Sequence, residues 1–195
     1  MTSALAIAVA VLWVVVIALA IAVFALARQI GVLYERVAPM GALMLDEGPK
    51  VGERAPGFTL TALDGATVSI GQPSQHGELL FFVSPTCPVC KKLIPVLRSI
   101  ARAERDWLRV ILASDGDEAK QRAFYEKAEL GDFPYVLSTD LGMTFKVAKL
   151  PYAVLLDESG TVRAKGLINS REQLESLFTA KELGVESIQQ YLQKA

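Results

Sequence analysis

The sequence predicts an α/β domain with a mixed central sheet, flanking helices and an N-terminal β-hairpin, preceded by one transmembrane helix. Three observations predict this fold class. An unbroken apolar run covers 4–27, strand and helix patterns alternate along the rest of the chain, and Asp64-Gly65 forms a hairpin-turn signal between two short strand patterns. These features divide the chain into an anchor (4–27), a membrane-proximal linker (28–50) and a globular domain (51–195).

The apolar run is long enough to cross a membrane. At about 1.5 Å per residue, a helix over 4–27 exceeds the roughly 30 Å hydrocarbon core of a bilayer. The alternative is a cleaved signal peptide, because 25–27 is Ala-Leu-Ala, a small-residue pattern found at cleavage sites. However, no Lys or Arg precedes the run, and it is longer than the apolar part of a signal peptide, about 7 to 15 residues. We therefore predict an uncleaved anchor.

The globular region alternates strand and helix patterns in an order that gives a sheet covered by helices on both faces. Strand patterns cover 59–63, 66–70, 79–83, 108–113, 133–137, 152–156 and 161–168. Helix patterns begin at the cysteine segment, at 115–118 (running toward 130), at 139 (running to 149) and at Ser170. In such sheets, reactive groups gather where a parallel strand is followed by the N-terminus of a helix. Residues 84–90 occupy such a position.

Cys87 and Cys90 are the only two cysteines of the chain. At the start of a helix, their spacing places the second sulfur one turn from the first, close enough for a disulfide. Backbone N–H groups and the helix dipole would stabilise a Cys87 thiolate at the N-cap. Pro88 suits the first turn because its missing N–H needs no partner there. We predict a redox-active disulfide, with Cys87 as nucleophile and Cys90 as resolving thiol.

Three other roles for the two cysteines remain open from the residues alone. A zinc site needs about four ligands, and His76, in a polar loop, is the only other soft candidate. A purely structural disulfide or a pair of buried, inert thiols would also fit the spacing. We favour the redox pair, acting without a metal and without a bound cofactor.

The charge pattern gives no indication of a nucleic-acid partner. The formal net charge is −1, and the basic residues form no cluster beyond Lys91-Lys92. We interpret Lys91 and Lys92 as part of a solvated helix face rather than as groups that activate a thiol.

Residues 82–95, Phe-Val-Ser-Pro-Thr-Cys-Pro-Val-Cys-Lys-Lys-Leu-Ile-Pro, resemble the active-site segment of thioredoxin-like redoxins. Residues 52–65 resemble the N-terminal hairpin of that group, and Leu150-Pro151-Tyr152 resembles its cis-proline loop. The resemblance implies a thioredoxin-like fold with a cis bond before Pro151. It also implies that the two cysteines are supported by an active-site loop comprising Thr86, Pro88, Val89 and Pro151.

Over its whole length, the chain resembles the MauD family of methylamine utilisation proteins, including the anchor and the motif at 84–90. The resemblance implies a membrane-bound accessory protein of methylamine dehydrogenase that forms or isomerises disulfides in the enzyme's light subunit. That subunit is a small, disulfide-rich periplasmic polypeptide. We also expect a membrane redox partner that resets the cysteine pair.

Two positions depart from the general thioredoxin pattern. Many relatives carry a buried acid six residues before the first cysteine, where this chain has Phe81. Proton transfer to Cys90 must then use water or another group. The residue before the pair is Thr86 rather than the usual tryptophan, and we expect a narrow client range from both changes.

Three other functions stay open at this point. They are a thiol reductase for cytochrome c assembly, a peroxidase, and a chaperone or metal-handling module without redox exchange. Pro85 and Thr86 stand closer to Cys87 than the proline and threonine of the peroxidatic motif, which disfavours the peroxidase. The direction of electron flow does not follow from the sequence, because it depends on how strongly the reduced thiolate is stabilised.

The expected compartment conflicts with the local charge bias. Arg28 and Arg36 follow the span, and the positive-inside rule would place that side in the cytoplasm. Disulfide exchange on a secreted client belongs outside the reducing cytoplasm. We therefore predict a single-pass protein of the inner membrane with its catalytic domain in the periplasm.

Overall fold

The computed structural model describes residues 7, 9–24 and 48–183. The chain divides into two compact units, Met1–Leu45 and Asp46–Ala195. In the first unit, 9–24 form a helix, α1, whose apolar side chains are exposed. Within the described residues, no helix combines the length and the apolar character needed to cross a membrane. The predicted anchor extends beyond the described residues at both ends, and the predicted linker lies outside them except for its last three residues.

The second unit contains a hairpin followed by a five-stranded mixed sheet. The strands are β1 (Phe58–Thr61), β2 (Thr67–Ile70), β3 (Gly77–Phe82), β4 (Leu108–Ser114), β5 (Tyr135–Leu137), β6 (Tyr152–Leu156) and β7 (Val162–Leu167). β1 and β2 pair with each other, and the sheet has the order β5-β4-β3-β6-β7. β3, β4 and β5 run parallel, whereas β6 is antiparallel to both β3 and β7. The predicted mixed sheet with an N-terminal hairpin is confirmed.

Helices and the hairpin cover the two faces of this sheet. The helices are α2 (Pro88–Ala103), α3 (Glu118–Lys127), α4 (Thr139–Thr144) and α5 (Arg171–Leu183). Side chains alternate along a strand, so Leu79 and Phe81 of β3 point to one face and Leu80 and Phe82 to the other. The first pair packs in a core cluster with α2, α3 and α5, and the second pair packs with the hairpin and α4.

Two predicted helices end earlier than their sequence patterns suggest. The helix predicted to run toward 130 ends at Lys127, and Glu129 then adopts a left-handed backbone with φ 52°. The helix predicted over 139–149 ends at Thr144, and Lys146 adopts the same left-handed conformation. Positive φ stops an α-helix, and in the second case it leads the chain into the loop before Pro151.

Candidate active site

Cys87 is the N-cap of α2, directly after the loop that leaves β3. Its backbone is extended (φ −86°, ψ 108°), and its Sγ accepts a hydrogen bond from the Cys90 backbone N–H at 3.1 Å. Pro88 occupies the first turn, as predicted. A helix can begin here because the N–H that proline lacks would have no partner in the first turn. Apolar side chains further along α2 stabilise the helix by packing against the sheet.

The two cysteines form a disulfide with a Cα–Cα distance of 5.3 Å. Cys90 is fully buried within the apolar cluster, whereas Cys87 is partly exposed at the edge of that cluster. An attacking thiol can therefore approach the Cys87 sulfur but not the Cys90 sulfur. This asymmetry fits the predicted division into an outer and an inner thiol.

A short polar loop carries the chain from β3 to Cys87. The Ser84 hydroxyl and the Thr86 hydroxyl are hydrogen-bonded at 2.9 Å, and the Ser84 Oγ also accepts from the Thr86 backbone N–H at 3.3 Å. The Cys87 backbone N–H donates to the Ser84 carbonyl at 3.1 Å. These local bonds turn the chain sharply, which is the behaviour expected of Ser and Thr hydroxyls in loops.

The loop before Pro151 lies beside the cysteines. The Leu150–Pro151 bond is cis, as the family resemblance implied, and the Pro151 carbonyl accepts from the Ile168 backbone N–H at 3.0 Å. Pro151 itself is buried, whereas Lys149 and Leu150 are exposed.

A cleft of about 390 Å³ opens next to Cys87. Cys87 and Leu150 both line it, so the structure brings the CxxC segment and the cis-proline loop together. The polar residues that line it are Ser84, Thr86, Ser114, Asp115, Ser138 and Lys149. Asp115 and Lys149 are exposed and of opposite charge, and the cleft therefore carries no single strong sign of charge.

The acidic helper of many relatives is absent, as the sequence predicted. Phe81 is fully buried in the apolar cluster that contains Cys90. Lys91 and Lys92 are exposed on the first turns of α2, in agreement with the predicted solvated face. Among the described residues, no three His, Cys, Asp or Glu side chains are grouped closely enough to hold a metal ion.

A buried polar group that no sequence pattern indicates joins β4, α3 and β5. Ser114, Gln121 and Tyr135 are all buried and are joined by hydrogen bonds. Burial raises the pKa of Tyr135 to about 12. Gln121 lies on a helix of mostly polar sequence, and no pattern in that sequence distinguishes the buried glutamine from its exposed neighbours.

Comparisons with known proteins agree with this geometry. The Redoxin family model matches residues 50–181. The methylamine utilization protein MauD of Methylorubrum extorquens is 51% identical over 172 residues, which cover 87% of this chain and 83% of that protein. The methylamine utilization protein MauD of Paracoccus versutus is 48% identical, with 87% of this chain and 85% of that protein covered.

Solved structures share the fold. StoA from Bacillus subtilis matches with a TM-score of 0.56 and 23% identity, covering 67% of this chain and 99% of that one. A thiol:disulfide interchange protein DsbE from Chlorobium tepidum, described as putative, matches with a TM-score of 0.61 and 18% identity, covering 69% and 99%. With its disulfide-bonded CxxC pair at the start of α2, the chain is a thiol-disulfide oxidoreductase that belongs to the redoxin family and, within it, to the MauD family.

Proposed function

We propose that this chain exchanges disulfides with the light subunit of methylamine dehydrogenase during that enzyme's maturation. The observation that carries the proposal is the Cys87–Cys90 disulfide at the start of α2, in a chain about half identical to proteins named for methylamine utilisation. The light subunit is the disulfide-rich client that the family resemblance implies.

The exchange uses Cys87 as the outer sulfur. In the oxidising direction, a client thiolate attacks Cys87 Sγ, a mixed disulfide forms, and Cys90 leaves as a thiolate that takes up a proton. A second client thiolate then attacks the client sulfur of the mixed disulfide, so that the client gains a disulfide and the CxxC pair gains two electrons and two protons. Isomerisation uses the same mixed disulfide, with the client closing a different pair and Cys87 leaving. A membrane redox partner would reoxidise the pair after net oxidation.

The loop before Pro151 supplies the surface on which the client chain lies. Lys149 and Leu150 are exposed, and Leu150 lines the same cleft as Cys87. A client segment in that cleft would bring its sulfur next to Cys87 while backbone groups of the loop hold the segment extended. Thr86, Pro88 and Val89 adjoin the two cysteines along the chain.

We place the catalytic domain in the periplasm, held to the inner membrane by a helix over 4–27. The unbroken apolar sequence of that run supports the anchor. Disulfide exchange on a secreted client supports an oxidising compartment, where disulfides persist. Fusions of alkaline phosphatase after residue 50 test this topology: an active fusion is expected, and an inactive phosphatase with an active cytoplasmic reporter at the same point contradicts it.

The decisive experiment for the client is trapping. Cys90→Ser leaves Cys87 able to form a mixed disulfide that nothing inside the chain resolves, so the light subunit should be recovered attached to Cys87. The matched control is the double variant Cys87→Ser/Cys90→Ser, which should capture nothing. Recovery of a component of cytochrome c assembly instead, together with loss of haem attachment on deletion of the chain, would favour the reductase alternative.

A further inference from the structure

A chain of hydrogen bonds runs through the domain interior toward the loop that carries Cys87. The Tyr135 hydroxyl donates to Gln121 Oε1 at 2.5 Å, and Gln121 Nε2 donates to Ser114 Oγ at 2.8 Å. The Ser114 hydroxyl in turn donates to the Val83 carbonyl at 2.8 Å. All three side chains are buried, so these bonds are shielded from competition with water.

Val83 directly follows the last residue of β3 and begins the active-site loop. Its backbone N–H donates to the Ala113 carbonyl at 2.9 Å, and its carbonyl is held by Ser114. Both backbone polar groups of this residue are thus tied to the end of β4. The next residue, Ser84, accepts the Cys87 backbone N–H through its carbonyl at 3.1 Å. Hydrogen bonds therefore connect Tyr135 in the core to the backbone of Cys87, with a single peptide link between Val83 and Ser84.

The donors and acceptors in this series of hydrogen bonds keep the same roles at neutral pH. A tyrosine is already protonated at neutral pH, and burial, which raises the pKa of Tyr135 to about 12, extends this to more alkaline conditions, so its hydroxyl donates to Gln121. The Gln121 amide must then present its nitrogen to Ser114 Oγ and to the Asp115 carbonyl, which lies 2.6 Å away. Both N–H groups of the Gln121 amide are then donated, and the Ser114 hydroxyl donates its own proton to the Val83 carbonyl. Loss of one member leaves a buried polar atom unsatisfied, at a cost that favours movement of the loop.

We propose that Ser114, Gln121 and Tyr135 are positioning residues that set the geometry of the Ser84–Cys87 loop and thereby the rate of exchange at Cys87. The proposal rests on the proposed role of Cys87 as the nucleophile. None of the three touches the reacting sulfur; they act through Val83 and Ser84. A shifted loop moves Cys87 relative to the Cys90 N–H and to the cleft, and small misplacements of a reacting atom are costly in rate.

The test compares Tyr135→Phe with Tyr125→Phe. The two rings stack with centroids 6.0 Å apart, and only the Tyr135 hydroxyl belongs to the chain of bonds. The full-length protein in detergent is reduced and reacted with hydroxyethyl disulfide, and the disappearance of the fully reduced protein is quantified by acid quenching and mass spectrometry. All rates are measured well below each variant's unfolding midpoint.

We expect Tyr135→Phe and Ser114→Ala to slow the reaction about three- to tenfold, with Tyr125→Phe unchanged within about twofold. The pH at which the rate is half-maximal should move upward in the first two variants, because a displaced Cys87 loses part of its hydrogen bond from Cys90. The double variant Ser114→Ala/Tyr135→Phe should be no slower than Ser114→Ala alone, because both changes break one chain of bonds.

A purely structural role gives a different result. In that case Tyr135→Phe and Ser114→Ala would lower the unfolding midpoint while the rate and its pH profile stay at the wild-type values, and the proposal would be overturned. Cys87→Ser separates this inference from the proposed function. If that variant reacts as fast as the wild type, the assignment of Cys87 as nucleophile fails; if it does not react and Tyr135→Phe is unchanged, only the positioning role fails.

Discussion

Phe81 and Cys90 lie in the same apolar cluster, and neither side chain is exposed to solvent. Cys90 therefore faces hydrocarbon where many thioredoxin-like proteins have a carboxyl group. Apolar surroundings disfavour an isolated thiolate, so Cys90 is best suited to remain a neutral thiol or a disulfide partner until Cys87 carries a mixed disulfide.

Introducing a carboxyl group at position 81 should destabilise the domain. We expect Phe81→Asp to lower the free energy of unfolding by at least about 3 kcal/mol, because the aromatic ring leaves a cavity and the new polar group is buried. Phe81→Leu, which keeps the site apolar, should lower the free energy of unfolding much less. Urea unfolding of the oxidised protein measures both. Equal stability of the two variants would show that water reaches this part of the core.

Glu78, at the opposite end of β3 from the active-site loop, should make the stability of the domain depend on pH. Burial raises the pKa of this carboxyl, against the lowering effects of a hydrogen bond from the Gly71 N–H at 2.9 Å and of the nearby Arg109 charge. A raised pKa in the folded state means that the folded protein binds the proton more tightly than the unfolded chain. Stability from this group is therefore full below the ordinary value of 4.5 and is lost as pH rises through the folded pKa.

Glu78→Gln should remove that pH dependence. The amide oxygen can still accept from Gly71, but the variant has no charge to bury at high pH. We expect the stability of Glu78→Gln relative to the wild type to increase between pH 4 and pH 8 in urea unfolding. Glu126→Gln on the exposed surface of α3 is the control and should show little change. A parallel pH response of Glu78→Gln and the wild type would contradict the raised pKa.

Gly160 is required by a close approach of two loops. Its backbone has φ 80°, and a Cβ at this position would collide with the Gly71 carbonyl oxygen and carbon. Because both atoms belong to the backbone, the clash cannot be relieved by a rotamer change. We expect Gly160→Ala to destabilise the domain by about 2 kcal/mol or more.

Gly142 is the matched control for that substitution. It lies within α4 and has no positive φ, and a Cβ there would meet no atom within 4 Å beyond its chain neighbours and the backbone of its own helix. Gly142→Ala should therefore stabilise the protein by about 0.5 to 1 kcal/mol, because alanine favours the helix. Thermal unfolding of the two variants measures the difference. A loss of stability in Gly142→Ala equal to that in Gly160→Ala would show that the close approach at Gly160 is not the cause.

The parts of the fold that the sequence predicts are those specified by local patterns. The hairpin turn follows from Asp64-Gly65: the glycine has φ 87°, and the Asp64 side chain accepts from the Ala66 N–H at 2.9 Å. The cysteine pair is equally local, because Pro88 suits the first turn of a helix and the CxxC spacing places both sulfurs at that turn. Both features therefore appear in the structure as predicted.

The features that the sequence does not reveal depend on tertiary contacts. Glu78 looks like a strand-edge charge, yet it is buried because the loop at Gly71 folds over it and donates a hydrogen bond. Ser114, Gln121 and Tyr135 come from β4, α3 and β5, and only the assembled sheet brings them together. Likewise, the left-handed turn at Lys146 interrupts a sequence pattern that is otherwise typical of a helix.

Leu150 tests whether the cleft beside Cys87 receives the client. It lines that cleft and is 38% exposed, so its apolar side chain is accessible to a segment bound there. We expect Leu150→Asp to slow exchange with the light subunit about tenfold, which corresponds to about 1.4 kcal/mol, because an apolar contact is replaced by a charge that must be desolvated. The reaction with hydroxyethyl disulfide should change less than about twofold, since so small a molecule reaches Cys87 without lying on the loop.

Met143→Asp is the control, because Met143 is 65% exposed on α4 and does not line the cleft. Equal slowing by the two aspartates would point to a general effect of negative charge, and an unchanged client rate in Leu150→Asp would place the client on another surface.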